Sequence, residues 1–316
     1  MAGVTGALGL DADEVRGVLV AAGLAPSLNN AQPWRFRVER DRIEVHADPA
    51  RRLPATDPDD RELRLACGAA LFGIRLALRA HGIRPLVTLL PGPEYPGALA
   101  VVRRGGSQAL DDRTRALIAA MPARRTNREP FRDAPVPVAH RQALVHAAER
   151  ERSWLHVVTD RDERALVHRL VAKAHGVQAA DPAVRAEMAA WTADGGVRDE
   201  WVLRDSHAAE RPPGEDHGSA PLTVVLSSFY DGPQAGLQSG QALQRVLLTA
   251  TALGLAASFL SQPIEVRPVR DELRRALGGG LVPQAVLRVG FGSPVPPAPR
   301  RPVEDLLCDT GLSTRP

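Results

Sequence analysis

The spacing of apolar residues along the first third of the chain predicts a helix, a hairpin, a long buried helix and two more strands. Val15, Val18 and Leu19 fall on one helical face behind Asp11, a suitable N-cap. Short alternating runs bounded by charged turn residues indicate strands. The predicted elements, in chain order, are a helix at 11–22, strands at 34–39 and 43–47, a helix at 61–81, and strands at 86–90 and 99–103.

A second series of elements begins near Arg124, after a helix at 111–120 and a break at Pro122. Its members are a helix at 138–151, a strand at 155–159, a helix at 162–174, a strand at 222–227, a helix at 238–253 and a strand at 285–289. The order resembles that of the first series, so the chain is predicted to be an α+β protein with two related units.

An internal comparison supports a duplication. The segments 68–82 and 240–254 each run from glycine to glycine over fourteen positions, with Ala-Leu at the third and fourth residues of both. Two buried helices that end in glycine can look alike by chance. A strand after each helix favours a repeated unit instead. Such a chain would fold as an internal pseudo-dimer, with the long helix of each unit buried against the other.

The length of 316 residues exceeds what one hydrophobic core usually organises. We therefore divide the chain into a first unit at 1–122 and a second unit at 123–316. The stretch 177–221 differs in character, because it holds Trp191, Trp201 and an Arg-Pro-Pro-Gly run. It is either a lid over a site or a solvated surface excursion.

Charge and hydropathy exclude several classes of protein. The formal net charge is only +3, and no basic stripe is interleaved with aromatic residues, so nucleic acid is not an expected partner. No stretch approaches 18 uninterrupted apolar residues, and no basic start precedes an apolar core, so we expect a cytoplasmic protein without a membrane span. The nine histidines lack metal-ligand spacing, and hydrolase motifs are missing, so no metal site is expected.

Two segments carry candidate chemistry early in the two series. Residues 25–34 read Ala-Pro-Ser-Leu-Asn-Asn-Ala-Gln-Pro-Trp. They form either a plain helix-to-strand connection or a loop that points hydroxyl and amide groups at a flat polar ring while Trp34 anchors it. Residues 124–128 read Arg-Arg-Thr-Asn-Arg. In an extended chain, Arg124, Thr126 and Arg128 point to one side, which suits a phosphate dianion or an electron-rich ring edge; the alternative is solvated surface.

A third candidate lies towards the C-terminus, in Gln-Pro-Ile-Glu at 262–265 and Pro-Arg-Arg-Pro at 299–302. Taken together, the three candidates resemble the FMN-dependent nitroreductase family and are most similar to its fused, Acg-like branch, over nearly the whole chain. The motif at 25–34 is highly characteristic of that family, and the motif at 124–128 adds to it. The resemblance implies a nitroreductase-like α+β fold, with two related units forming a monomeric pseudo-dimer.

The resemblance also implies which residues hold the phosphate end of FMN. Arg124, Thr126 and Arg128 correspond to the motif that grips the phosphate and ribityl chain, with Arg128 approaching the N1 side of the ring. Arg300 and Arg301 correspond to the basic pair that completes the phosphate site.

The isoalloxazine ring would be contacted mainly from the other unit. Ser27, Leu28 and Asn30 match the loop that, in homodimeric relatives, comes from the partner subunit, and Gln32 belongs to the same motif. Glu265 matches the turn near flavin N5.

The distribution of these motifs predicts one FMN per chain. The Arg-x-Thr-x-Arg motif occurs only at the start of the second unit, and the Asn-x-Gln-Pro-Trp motif occurs only in the first. Only one composite site therefore has both of its walls, whereas homodimeric relatives have two.

The function implied by the resemblance is hydride transfer from NADH or NADPH to FMN, followed by reduction of a small-molecule acceptor such as a nitroaromatic or a quinone. The cofactor carries the chemistry, so no catalytic residue is assigned. The alternative is a non-catalytic protein that binds or sequesters flavin, which would result if the 177–221 stretch closed over the ring.

Overall fold

The structure, a computed structural model, describes residues 3–193 and 221–308. The first series of elements comprises α1 (Ala12–Gly23), β1 (Trp34–Glu39), β2 (Arg42–Ala47), α2 (Arg61–Ala80), β3 (Ile83–Leu89), β4 (Ala98–Ser107) and α3 (Asp112–Ala120). The second comprises α4 (Val138–Glu149), β5 (Trp154–Val158), α5 (Arg161–Ala180), α6 (Pro182–Ala193), β6 (Leu222–Ser228), α7 (Pro233–Ala252), β7 (Ala256–Phe259), α8 (Gln262–Glu265), α9 (Arg267–Ala276) and β8 (Val282–Gly290).

The α+β class and the repeated order of elements are confirmed. Each series forms a four-stranded antiparallel sheet, in the order β1-β2-β4-β3 for the first and β5-β6-β8-β7 for the second. If β5 to β8 are counted as the first to the fourth strand of their sheet, the two strand orders are the same. The short strand β7, which the hydrophobic pattern did not predict, completes the equivalence.

Local signals explain several of these elements. Asp11 caps α1 as predicted: its side chain accepts a hydrogen bond from the Glu14 N–H at 2.9 Å, and Glu14 accepts one from the Asp11 N–H at 3.0 Å. This reciprocal pair satisfies two backbone donors that a helix start leaves open. Trp34, at the start of β1, is fully buried, which confirms that it anchors the preceding loop in the core.

The two long helices pack against each other at the two glycines that begin the repeated segments. A methyl group added to Gly240 would lie 2.0 Å from the Leu65 carbonyl oxygen, and one added to Gly68 would lie 2.2 Å from the Leu237 carbonyl oxygen. The backbones of α2 and α7 therefore touch where each helix lacks a side chain. This contact is the centre of the pseudo-dimer that the sequence comparison predicts.

The chain after the second series returns to the first unit. Residue Leu307 pairs in parallel with Phe36 of β1, and the Cys308 N–H donates to the Phe36 carbonyl at 2.8 Å. Val303 and Leu306 lie in the apolar core of the first unit. The last described residues thus complete the first unit, and the boundary at 122 and 123 stays a prediction.

The stretch 177–221 is described only in its first part. Residues 177–180 end α5, residues 182–193 form α6, and residues 194–220 lie outside the described ranges. Helix α6 reaches the first unit, where the Glu187 carboxylate accepts hydrogen bonds from the Ala55 and Thr56 N–H groups at 3.0 and 2.9 Å. Whether 177–221 acts as a lid stays a prediction. Within the described ranges, no helix is long and apolar enough to cross a membrane.

Candidate functional site

A cleft of roughly 590 Å³, counting its open mouth, lies between the two units. Both series contribute to its walls. The first unit supplies the loop after α1 and the first turns of α2, and the second supplies the segment before α4, one residue of α7 and the chain around β7. The lining residues are Pro26, Ser27, Leu28, Asn29, Glu62, Leu65, Ala66, Thr126, Arg128, Leu243, Phe259 and Ser261.

The loop of the first wall is a tight, irregular turn. Ser27 precedes a 3-10 turn at Leu28–Asn30, and its hydroxyl accepts a hydrogen bond from the Gln32 N–H at 2.9 Å. Asn29, Asn30 and Gln32 have φ values of 50°, 55° and 51°. Asparagine adopts this left-handed region more readily than other non-glycine residues, so the Asn-Asn pair allows the chain to fold back and present Ser27 and Leu28 to the cleft.

The opposite wall is an extended segment at the edge of the second sheet. Thr126 forms a parallel bridge with Ala257 of β7, and the Asn127 N–H donates to the Ala257 carbonyl at 2.8 Å. The Asn127 side chain is buried and donates to the Ser293 carbonyl at 2.9 Å. Thr126 and Arg128 line the cleft on alternate positions of this extended segment. The structure thus brings them to the same cleft as Ser27 and Leu28.

Arg124 does not line this cleft. It is buried, and its Nη2 donates to the Leu24 carbonyl at 3.1 Å, while Nη2 of Arg300 donates to the same carbonyl at 3.3 Å. Within the described residues, the Nε and Nη1 atoms of Arg124 are buried without a hydrogen-bond partner. Two guanidinium groups therefore converge on a single neutral oxygen.

Within the part of the chain that the structure describes, no carboxylate compensates the charges of Arg124 and Arg300. Burial lowers the pKa of Arg124 to about 9, and the positive charges of Arg300 and Arg125 act in the same direction. Burial also lowers the pKa of Arg300 to about 10, again assisted by Arg125. A depressed arginine pKa means that burial disfavours the charged form by more than the neighbouring groups stabilise it. Buried positive charges of this kind are stabilised when an anion binds beside them.

Three polar residues connect the first wall to the C-terminal segment: Asn30, Gln32 and Arg301. The Asn30 side-chain amide donates to the Pro299 carbonyl at 3.0 Å, and its oxygen accepts from Arg300. The Gln32 side-chain oxygen accepts from the Arg301 N–H at 2.9 Å. The Arg301 guanidinium pairs with Asp48 at 3.1 Å. None of the three lines the cleft.

Glu265 also lies outside the lining, at the end of α8, where its carboxylate accepts a hydrogen bond from Gln178 of α5. Its negative charge nevertheless affects a carboxyl group that lines the cleft. Burial raises the pKa of Glu62 well above its ordinary range, and the negative charges of Glu265 and Asp57 act in the same direction. The carboxyl group that faces the cleft is therefore Glu62, which the sequence motifs did not indicate. Only the helical spacing of Glu62, Leu65 and Ala66 places it on that face.

Replacing Glu62 with glutamine is expected to stabilise the protein at neutral pH. Because the pKa of Glu62 is higher in the folded than in the unfolded chain, folding loses stability as pH rises above the unfolded value near 4.5. Glutamine removes that loss. Urea unfolding of flavin-free protein should show E62Q more stable than wild type at pH 7, with the difference shrinking towards pH 4. A gain of the same size at both pH values would contradict the raised pKa.

Comparisons with known proteins find relatives that align with most of the chain. No family model matches the chain. The Mycobacterium tuberculosis protein named "Putative NAD(P)H nitroreductase Rv3131" is 34% identical, with 94% of this chain and 92% of the relative aligned. A second protein of that organism with the same descriptive name, acg, is 29% identical over 93% of this chain and 95% of its own length.

Solved structures give more distant matches. Nitroreductase A from Vibrio parahaemolyticus is 14% identical with a TM-score of 0.41, covering 64% of this chain and 76% of that one. A Bacteroides fragilis nitroreductase with bound FMN is 18% identical with a TM-score of 0.37, covering 56% of this chain and 88% of that one. The sequence relatives therefore decide the family.

Proposed function

The chain belongs to the NAD(P)H nitroreductase family, and from that premise we propose that it is an FMN-dependent oxidoreductase that uses NADH or NADPH to reduce a small-molecule acceptor. FMN would supply the two-electron chemistry when bound, so the chain itself needs no acid, base or nucleophile. A nitroaromatic or a quinone is the class of acceptor we propose. The residues of the cleft would bind the FMN, orient it and shield it.

The observation that carries this proposal is the buried arginine pair. Arg124 and Arg300 share the Leu24 carbonyl, and two nitrogen atoms of Arg124 have no partner among the described residues. A phosphate dianion offers the oxygen acceptors and the negative charge that these groups require. We therefore assign the phosphate of FMN to this pair. Arg301 would act indirectly, because Asp48 and Gln32 hold it against the C-terminal segment.

The adjoining cleft suits the rest of the cofactor. Thr126 offers a hydroxyl for the ribityl chain, and Arg128 offers a positive charge for the N1 side of the ring, where it would favour the reduced anion. Ser27 and Leu28 face them from the first unit. We propose that Asn30, Gln32 and Glu265 act by holding the walls in place, since their side chains bond to other parts of the protein.

One FMN per chain is proposed, because the described part of the second unit does not repeat the loop that forms the first wall of the cleft. The connection from α1 to β1 spans residues 24–33, whereas that from α4 to β5 spans only 150–153. The carboxylate of Glu151 in this short connection is buried and pairs with Arg75 of α2 at 2.6 Å and Arg245 of α7 at 2.7 Å. Both guanidinium groups stack on Phe72, at 5.2 and 4.9 Å from its ring centre. Side chains of the protein therefore occupy the position in the second unit that corresponds to the loop 24–33.

The proposal is tested by flavin content and by anaerobic reduction. We expect purified protein to carry or take up one FMN per chain, measured by absorbance against protein concentration. Adding NADH or NADPH without oxygen should bleach the flavin absorbance, and a nitroaromatic or quinone should restore it. A protein that cannot be reconstituted with FMN contradicts the assignment. Bound flavin that dithionite bleaches but neither nicotinamide reduces supports the alternative, a flavin-sequestering protein.

A further inference from the structure

A second cavity, of about 510 Å³ with its open mouth counted, lies on a neighbouring face of α2 and has a different chemistry from the cleft. Arginine predominates among its charged residues, with four arginines against two aspartates. The lining residues are Asp59, Arg61, Arg64, Asp231, Gly232, Gly236, Arg267, Arg270 and Gln284. The cavity therefore has an excess of two positive charges, and none of the motifs discussed above includes any of its residues.

Three helices begin at this cavity. Arg61 and Arg64 lie in the first turn of α2, Gly232 and Gly236 at the start of α7, and Arg267 and Arg270 in the first turn of α9. Asp57 caps α2, accepting from the Arg61 N–H at 2.7 Å, whereas α7 and α9 begin without a side-chain cap. Helix starts expose backbone N–H groups and positive dipole ends, which attract anions.

The arginines of α9 stand where the helix dipole disfavours them. The first turn of α9 contains no acidic residue, yet it carries Arg267 and Arg270. Positive charge at a helix start costs stability, so local helix formation does not explain these residues. An anion bound among them would offset that cost.

Arg270 is the most informative of the four. It is only 7% exposed, and its Nη1 is buried without a hydrogen-bond partner within the described residues. Its other contact is weak, since Nη2 lies 3.4 Å from Asp231, and that aspartate is held more closely by Arg61 at 2.5 Å. Burial lowers the pKa of Arg270, and Arg61 acts in the same direction. Arg270 thus lines the cavity while its guanidinium has one donor without a partner among the described residues.

We propose that this cavity is a second anion site, which binds the phosphate group of a small molecule between the starts of α7 and α9. Arg267 and Arg270 would hold the phosphate oxygens as charge-assisted donors, while Arg61 and Arg64 supply further positive charge. Because Arg61 and Glu62 are consecutive, the site and the flavin cleft lie on neighbouring faces of the same helical turn. An α-helix with its side chains is only about 10 Å across, so a phosphorylated nicotinamide dinucleotide could reach both.

Pyrophosphate is the first probe, titrated into the full-length protein loaded with FMN and followed by calorimetry. The test variant is R267Q, because Arg267 is exposed and makes no hydrogen bond or ion pair within the described residues, so its loss should not impair folding. The matched control is R275Q, an exposed arginine of the same helix outside the cavity. We expect about tenfold weaker binding for R267Q, a larger loss for R270Q and no change for R275Q, with affinity falling as salt rises.

Kinetics with NADPH and NADH then identify the source of the phosphate. A rise of about tenfold in KM for NADPH in R267Q, with KM for NADH unchanged, would assign the site to the 2′-phosphate of the reductant. Loss of pyrophosphate binding with neither KM altered would assign it to a separate phosphorylated molecule. Both results support the site. Equal pyrophosphate affinity in wild type, R267Q and R275Q, or no binding in any of them, would overturn it.

Only the kinetic comparison rests on the proposed function. Should the protein fail to bind FMN, the pyrophosphate titration can still be made on the flavin-free chain. In the flavin-free chain, pyrophosphate can also bind at Arg124 and Arg300, which both variants keep. A difference in pyrophosphate affinity between R267Q and R275Q therefore reports on this cavity alone. Failure of the flavin assignment and failure of the anion site therefore give different results.

Discussion

Gly240→Ala is expected to lower the free energy of unfolding by about 3 kcal/mol or more, the upper range for overpacking a close contact. The added methyl group would lie 2.0 Å from the Leu65 carbonyl oxygen and 2.8 Å from the Gly68 Cα. Both are backbone atoms of α2, so no side chain can turn aside. Relief requires α2 and α7 to separate, which would open the core contact between the two units. Urea or thermal unfolding measures the loss.

Gly17→Ala is the matched control for this prediction. Gly17 lies in α1, is exposed, and has no atom within 4 Å of an added methyl group. Alanine forms helix better than glycine by up to about 1 kcal/mol, so this variant should be as stable as wild type or more so. If G240A were as stable as G17A, the two long helices could not be in backbone contact.

Arg124→Met is expected to weaken FMN binding about 100-fold or more. The substitution removes a guanidinium whose Nε and Nη1 have no partner among residues 3–193 and 221–308, and it retains much of the apolar stem. Hydrogen bonds to charged groups contribute about 1.5–3 kcal/mol each, and two such bonds to a phosphate account for at least that factor. Fluorescence titration of the flavin-free protein with FMN gives the dissociation constants.

Without flavin, the R124M variant should not be less stable than wild type, although it binds FMN more weakly. A buried, uncompensated charge costs free energy, so R124M without flavin should unfold at an equal or higher urea concentration than wild type. Arg113→Met, an exposed arginine of α3, is the control and should alter neither quantity. Unchanged FMN affinity in R124M would refute the phosphate assignment. Loss of both affinity and flavin-free stability would mean that Arg124 holds the fold rather than the cofactor.

The proposed single FMN site follows from a difference between the two units. In the first unit, the loop 24–33 is long enough to turn back through Asn29 and Asn30 and form a wall. In the second unit, four residues connect α4 to β5, and Glu151 closes the position with Arg75 and Arg245. Removing one partner from such a buried group leaves uncompensated charge. These ion pairs therefore keep the position in the second unit filled by protein side chains.

The sequence by itself determined the repeat and most of the elements, but not β7 or the helices α6, α8 and α9. Helix caps, alternating strands and apolar helical faces are local patterns, so they predicted α1, the β1-β2 hairpin and α2 with small errors at their ends. The equal spacing of Gly68 to Gly82 and Gly240 to Gly254, with a strand after each helix, predicted a repeated unit and hence the pseudo-dimer. The structure shows that the backbones of the two helices touch at Gly68 and Gly240.

Only the tertiary structure decided which groups share a space. The motif residues divide into those that line the cleft, such as Ser27 and Thr126, and those that hold its walls, such as Gln32 and Arg301. Glu62 and the cavity around Arg270 belong to no motif. Their environment comes from helices that are distant in sequence, and burial and uncompensated charge are properties of that packing. A linear pattern records which residue types are present, whereas their hydrogen-bond partners and solvation depend on the folded arrangement.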